Sequence, residues 1–286
     1  MEMVPCYSGS PMTTIRIGHS PDPDDAFMFY ALTHGKVPIP GVAVEHLLED
    51  IESLNRRARA AELEVTAISA AAYTLVSDRY RIMDPGASMG KGYGPILVAR
   101  APVDPREIPN RVVAIPGRLT TAALLLRLYC GDPQVVEVPF DKIPRAVLEG
   151  QAELGLLIHE GQITHEAMGL RKVLDLGERW ERDTLLPLPL GINVMRRDLG
   201  EDTHRALSAA LSESIAYAHA HVDEALDYAM QYGRGIDRET CRRFVLMYVN
   251  DYTVTLGEDG REALRRLYLI AREKGLIPEI PPIDPI

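Results

Sequence analysis

Residues 111–129, RVVAIPGRLTTAALLLRLY, carry the unit from which this chain is built. Residues 111–115 end in the apolar, largely β-branched run VVAI and read as a strand. Pro116 and Gly117 end it, and 116–119 form a loop. Thr120 and Thr121 then stand before a run of Ala and Leu, so 120–129 read as a helix with hydroxyl residues at its start. The same succession recurs on both sides. Toward the N-terminus, 14–18 (TIRIG), 42–47, 65–68 and 94–100 (GPILVAR) read as strands. Residues 26–34, 51–62 and 70–76 read as helices, with Ile51, Leu54 and Ala58 on one stripe. Toward the C-terminus, 135–138, 154–158 (LGLLI) and 173–176 are strands and 143–149 a helix. A loop at 185–191 (LLPLPLG) leads into a strand at 192–196. The remainder is helical: 202–221, 222–232, 238–250 and 259–274.

Strands alternating with helices predict an α/β fold on a mostly parallel sheet. Two such cycles and a helical tail predict two lobes, with the chain crossing near 98–101 and again near 190–194. Residues 13–98 with 192–286 would form the larger, discontinuous lobe, and 99–191 the second. A cleft between two α/β lobes is a natural place for a small ligand. The tail would pack on the first lobe or make a dimer, so monomer and homodimer both stay open.

The chain has 286 residues, 46% hydrophobic and 25% charged, as expected of a globular protein. Its 31 basic against 41 acidic residues give a formal charge of −10. That balance lacks the basic footprint of a nucleic-acid binder and suits neither nucleic acid nor an anionic membrane surface. The three cysteines, Cys6, Cys130 and Cys241, are odd in number and form no CxxC pair, which argues against a disulfide framework and a cysteine zinc site. Residues 1–14 lack the basic and apolar regions of a secretory signal, and the first dozen residues read as a loose leader. Cys6 has no apolar run before it that would make it a lipid anchor. A cytoplasmic location follows.

In open α/β sheets ligands bind beyond the carboxyl ends of the strands. Just after the apolar runs stand His19 and Ser20, then Ser69, then Thr120 and Thr121, then His159 and Glu160. All of these would face one rim. Thr120, Thr121 and Ser69 sit at helix starts. They would cap orphan amides, or leave amides free to hold a carboxylate or phosphate, or do both. His159 is either a hydrogen-bonded structural histidine or a general acid or base. The loop 20–25, SPDPDD, brings Asp22, Asp24 and Asp25 together to cap the next helix and shape the cleft; Ser20 and Asp25 are candidates for substrate contact. It lacks the DxDxDG pattern with a distal Glu, and HEGQITH at 159–165 is not HExxH, so no metal is expected. MGKGYG at 89–94 is not a phosphate loop and reads as a flexible connector. His219 and His221 read as surface residues.

Several segments in order resemble one family. They are SPDPDDAFMFYAL (family pattern SPCPNDTFIFYAL), LEDIESLNRRA, ISAAAY, DRY, GYGPILVAR, PGRLTTAALLLRL, LLIHEGQIT, DLGERWERDTLLPLPLGINVMRRDLG and MYVN. The chain is similar over about 14–278 to the MqnD family within the MqnA/MqnD group: the 1,4-dihydroxy-6-naphthoate synthases of the futalosine route to menaquinone. The resemblance implies the two-lobed fold of periplasmic solute-binding proteins (type II), with a ligand cleft between the lobes. It implies a lyase acting on cyclic dehypoxanthine futalosine, a small-molecule carboxylate, with no metal or redox cofactor. The family's proton-accepting histidine falls on His159. Its substrate-contacting segments fall on Ala67, Ile68 and Ser69 and on Thr120 and Thr121.

The departures from the family pattern are Asp22 for Cys, Asp24 for Asn, Ala26 for Thr, and Ala67 where lysine is frequent. They add negative charge beside an anionic substrate. Two other functions therefore stay open: a cytoplasmic solute-binding-like protein for a small carboxylate, and a related cleft enzyme of dehydratase type with a different substrate.

Overall fold

The computed structural model describes residues 13–286; Cys6 and the leader lie outside them. Two sheets organise the chain. The first contains β1 (Thr13–His19), β2 (Val42–Leu48), β3 (Val65–Ser69), β4 (Tyr80–Ile82) and β5 (Ser88–Gly90). The second contains β6 (Ile96–Ala99), β7 (Val112–Ile115), β8 (Gln134–Glu137), β9 (Leu154–Leu157) and β10 (Arg171–Asp175). β11 (Leu188–Arg196) then returns to the first sheet. The orders are β2-β1-β3-β11-β4, with β5 also on β11, and β10-β6-β9-β7-β8.

The sheets are mixed, which corrects the expectation of a mostly parallel one. Four strand pairings are parallel. Five are antiparallel. The reason lies in the crossings. β1 and β3 run toward the cleft and end there at Ser20 and Ser69. β11 arrives from the other lobe, so it starts at the cleft, with Gly191 beside Ser69, and runs away from it. β6 likewise starts with Ile96 beside Leu157, the last residue of β9. A strand that enters a sheet from the interlobe side must oppose its neighbours. All of β6 belongs to the second sheet and all of β11 to the first, so the crossings come a few residues before 98–101 and 190–194.

Other differences are local. Pro23 starts the helix after β1 three residues earlier than periodicity predicts, since its fixed φ suits the first turn. A break at Phe29 then separates Pro23–Met28 from Tyr30–Thr33. The loop 185–191 is largely strand, because Leu188, Pro189 and Gly191 pair with β5. Residues 89–94 are no flexible connector. Gly90 pairs with Leu188, and the Tyr93 hydroxyl sits against the carbonyls of Met89 and Met247.

The core is continuous across the lobes. Ile68 and Val194 of the first sheet and Leu97, Val113 and Leu156 of the second share one cluster with Trp180 and with the last helix, Gly257–Glu273. Polar ends of large side chains are satisfied there: Trp180 Nε1 donates to the Pro187 carbonyl, and the Tyr268 hydroxyl donates to Ala70. The outer face of the first sheet packs on the helical tail through Phe27, Leu211, Ile215 and Val245. The tail therefore covers the first lobe. No helix among the described residues is long and apolar enough to cross a membrane.

Candidate active site

A cleft enclosing about 710 Å³ of empty space, part of it open to solvent, lies where the two sheets meet. Ser20, Asp25, Ala67, Ile68, Ser69, Thr120, Thr121 and His159 all line it, so four separate strand ends converge on one wall system. His19 and Glu160 are the exceptions to the rim expectation, and neither lines the cleft; His19 is turned into the core. It belongs to β1, is buried, stacks on Phe29 at 4.4 Å and meets His46 Nδ1 at 3.1 Å. Burial, helped by His46, lowers its pKa to about 3. His219 and His221 are exposed, as read.

His159 follows β9 and has φ of 53°, a left-handed conformation that costs a non-glycine residue of order 1–3 kcal/mol. The sharp turn puts its ring edge-on to Phe140, with centroids 4.9 Å apart. Its Nε2 lies 3.3 Å from Asp22 Oδ2. Asp22 occupies a helix N-cap position, yet its side chain makes no capping bond. It instead accepts from Ser20 Oγ and, at 2.7 Å, from Arg234 Nη2. Arg234 also donates to Glu160 at 3.0 Å and to the Pro21 carbonyl at 3.0 Å, and its guanidinium lies 4.5 Å over the Phe140 ring. Glu160 thus serves Arg234 and does not line the cleft.

The acids of 20–25 sit in unlike surroundings. Burial, then the neighbouring Asp25 and Asp22, push Asp24 well above the usual carboxylate range. Burial raises Asp25 to about 7, against the Ser20 amide, which donates to it at 2.6 Å. Asp22 keeps a guanidinium partner. Asp22, Asp24 and His159 offer three ligand atoms within 4.8 Å of one another. Both Asp22 oxygens also accept hydrogen bonds, from Ser20 and Arg234.

The hydroxyls at the helix starts are committed to the protein. Thr120 caps: its Oγ1 accepts from Ala123 at 3.1 Å and donates to Gly117 at 2.8 Å. Thr121 Oγ1 donates to Leu190 at 2.7 Å and accepts from Ala71 at 3.1 Å, tying the helix Thr121–Cys130 to the first lobe. Ser69 makes no cap and instead pairs with Asn55, whose Nδ2 donates to its Oγ and whose Oδ1 accepts from its amide. The first-turn amides of Thr121 and Ala122 have no intrahelical acceptor, and both residues face the cleft.

Sequence reading missed Gln162, Asn193, Tyr248 and Arg234. Gln162 donates to the Tyr248 hydroxyl at 2.5 Å across the cleft. Tyr248 lies in the quoted segment MYVN, but nothing in the sequence showed which way it points. Arg234 sits in a glycine-flanked turn of an arginine-rich chain, with no local pattern to distinguish it.

Fold and site together define a two-lobed cleft protein of the periplasmic-binding type. The alkanesulfonate-binding protein SsuA of Xanthomonas axonopodis pv. citri shares that fold, with a TM-score of 0.72 at 9% identity, covering 94% of this chain and 96% of that one. A crystal structure of an Archaeoglobus fulgidus protein is far nearer: TM-score 0.89, 52% identity, covering 95% of this chain and all of the other. The model of the family described as menaquinone biosynthesis matches residues 15–273. The 1,4-dihydroxy-6-naphtoate synthase of Thermus thermophilus is 46% identical over 265 residues, 93% of this chain and 96% of its own. That of Streptomyces coelicolor is 37% identical over 275 residues, 94% and 96% respectively. The chain belongs to the menaquinone biosynthesis family.

Proposed function

We propose that this protein is a cytoplasmic lyase that converts cyclic dehypoxanthine futalosine to 1,4-dihydroxy-6-naphthoate, with His159 as general base. The observation that carries this reading is the placement of His159: a strained, partly accessible imidazole that lines the same cleft as a helix start with free amides. A pure binder has no need of a titrating base. The substrate carboxylate meets the amides of Thr121 and Ala122 and the positive end of that helix, since the threonine hydroxyls are already engaged. Ala67 and Ile68 supply apolar wall for the ring system. His159 removes a proton, the resulting anion drives ring opening by cleaving a carbon–carbon bond, and aromatisation makes the last step downhill. The raised proton affinities of Asp24 and Asp25 keep the acidic end of the cleft from repelling an anion.

The test is turnover of cyclic dehypoxanthine futalosine by the purified protein beside His159→Ala, read as dihydroxynaphthoate by absorbance and mass. Product from the wild type alone supports both the reaction and the base. Product from both removes His159 from that role. No product, with small carboxylates still bound, supports a solute-binding-like protein or an enzyme of dehydratase type.

A further inference from the structure

We propose that Asp22 and Arg234 are positioning residues: the Asp22 carboxylate, close to Nε2 of His159, favours the proton on that nitrogen by its charge so that Nδ1 is the nitrogen left for substrate, and Arg234 holds Asp22 while clasping the two lobes together. This rests on the reading of His159 as the base.

Asp22 is buried to within 1% of full enclosure, so its position is set by its partners. Its Oδ1 accepts from Arg234 and its Oδ2 accepts from Ser20 and stands 3.3 Å from His159 Nε2, which makes no hydrogen bond, so the carboxylate acts on the imidazole as a nearby charge. An ionised carboxylate only accepts. A neutral imidazole donates from one nitrogen and accepts at the other, so a carboxylate against Nε2 selects the Nε2–H form. A buried carboxylate stays ionised only beside a fixed cation, and Arg234 supplies one at 2.7 Å. The same guanidinium reaches Glu160, next to His159 in the chain, and lies over Phe140, against which His159 packs. It therefore joins the segment after β1 to both walls around the imidazole. The family pattern has cysteine at position 22, and a neutral thiol exerts far less control over the tautomer. Asp24 and Asp25 from the same segment, Glu160 beside the histidine and Tyr248 from the tail are the other titratable groups around the imidazole.

The experiment is 15N NMR of the full chain carrying labelled histidine, with His159→Ala identifying the resonances, together with steady-state kinetics. The wild type is expected to show Nε2 protonated and Nδ1 bare. In Asp22→Asn the carbonyl of the new amide turns to Arg234, a pure donor, and its NH2 faces the ring, so the tautomer inverts. The kcat then falls about tenfold to a hundredfold while KM changes little. Arg234→Met is expected to weaken the Nε2–H preference and raise KM as well, and Arg234→Lys to restore part of both. Should Asp22→Asn fail to fold, Asp22→Cys reads the same tautomer. A bare Nε2 in the wild type overturns the proposal, as does a tautomer and kcat unchanged by Asp22→Asn. The tautomer is read without turnover, so a protein with the expected tautomer that does not process the substrate overturns the reaction assignment and leaves the positioning standing.

Discussion

Gln162, in the short helix Gly161–Thr164 after β9, donates to the hydroxyl of Tyr248, on the helix Arg238–Tyr248 of the tail. Tyr248 is buried against Tyr93 and Phe244, with ring centroids 5.2 and 4.8 Å away. The bond links the segment that carries His159 to the opposite wall of the cleft. Tyr248→Phe keeps the packing and removes the link. It is expected to cost about 1 kcal/mol of stability, within the usual range for one hydrogen bond. It is also expected to raise KM several-fold, by loosening closure, with a smaller change in kcat. Urea unfolding and steady-state kinetics check the two effects.

Thr121 tests the second tie between the lobes. Thr121→Val is nearly isosteric but leaves the Leu190 carbonyl and the Ala71 amide without their partner. The expected loss is about 1–3 kcal/mol in urea unfolding. KM should rise too, because the helix start that faces the ligand loses its anchor.

Asp25 makes stability depend on pH. Its carboxyl goes from 3.8 in the unfolded chain to about 7 in the fold, so the folded state binds the proton more tightly. The stability it contributes is fully present below pH 3.8 and is lost as pH rises through 7. Asp25→Asn is expected to flatten the decline in unfolding free energy between pH 5 and pH 8. Denaturant titrations of both proteins across that interval decide it; equal slopes would refute the assignment.

On the acid side the histidine pair His19 and His46 acts in the opposite sense. His19 is held at about 3 and His46 at about 4, both mainly by burial and both below the ordinary 6.5. A depressed histidine contributes stability above pH 6.5 that is lost as pH falls toward 4 and then 3. His19→Phe preserves the stack on Phe29 and removes one titrating group. The melting temperature should therefore fall less between pH 6 and pH 4 than in the wild type.

Gly177 marks where the segment 89–94 is pinned. A Cβ there would stand 2.2 Å from the Tyr93 carbonyl carbon and 2.4 Å from the Gly94 nitrogen, both backbone atoms. Gly177→Ala is expected to destabilise by about 1–3 kcal/mol despite the better helix propensity of alanine. Thermal unfolding measures it.

Strand and helix succession, the two-lobed plan and the rim of the cleft were legible along the chain, because hydrophobic periodicity and turn residues are local signals. Ser20, Ser69, Thr121 and His159 could be placed together for the same reason: each follows an apolar run, and strand ends in such folds meet. Strand direction was not legible. Whether β6 and β11 run with or against their neighbours depends on which side the chain enters from, and that is settled by the other lobe. Nor could sequence assign Asp22, which reads as a helix cap. Its carboxylate turns to Arg234 and His159, residues more than 130 positions away, because a buried charge takes the strongest partners the fold brings near. Family membership was legible in the sequence alone; which residues surround the imidazole of His159, and how deeply the acids beside it are buried, follow only from long-range packing in the folded protein.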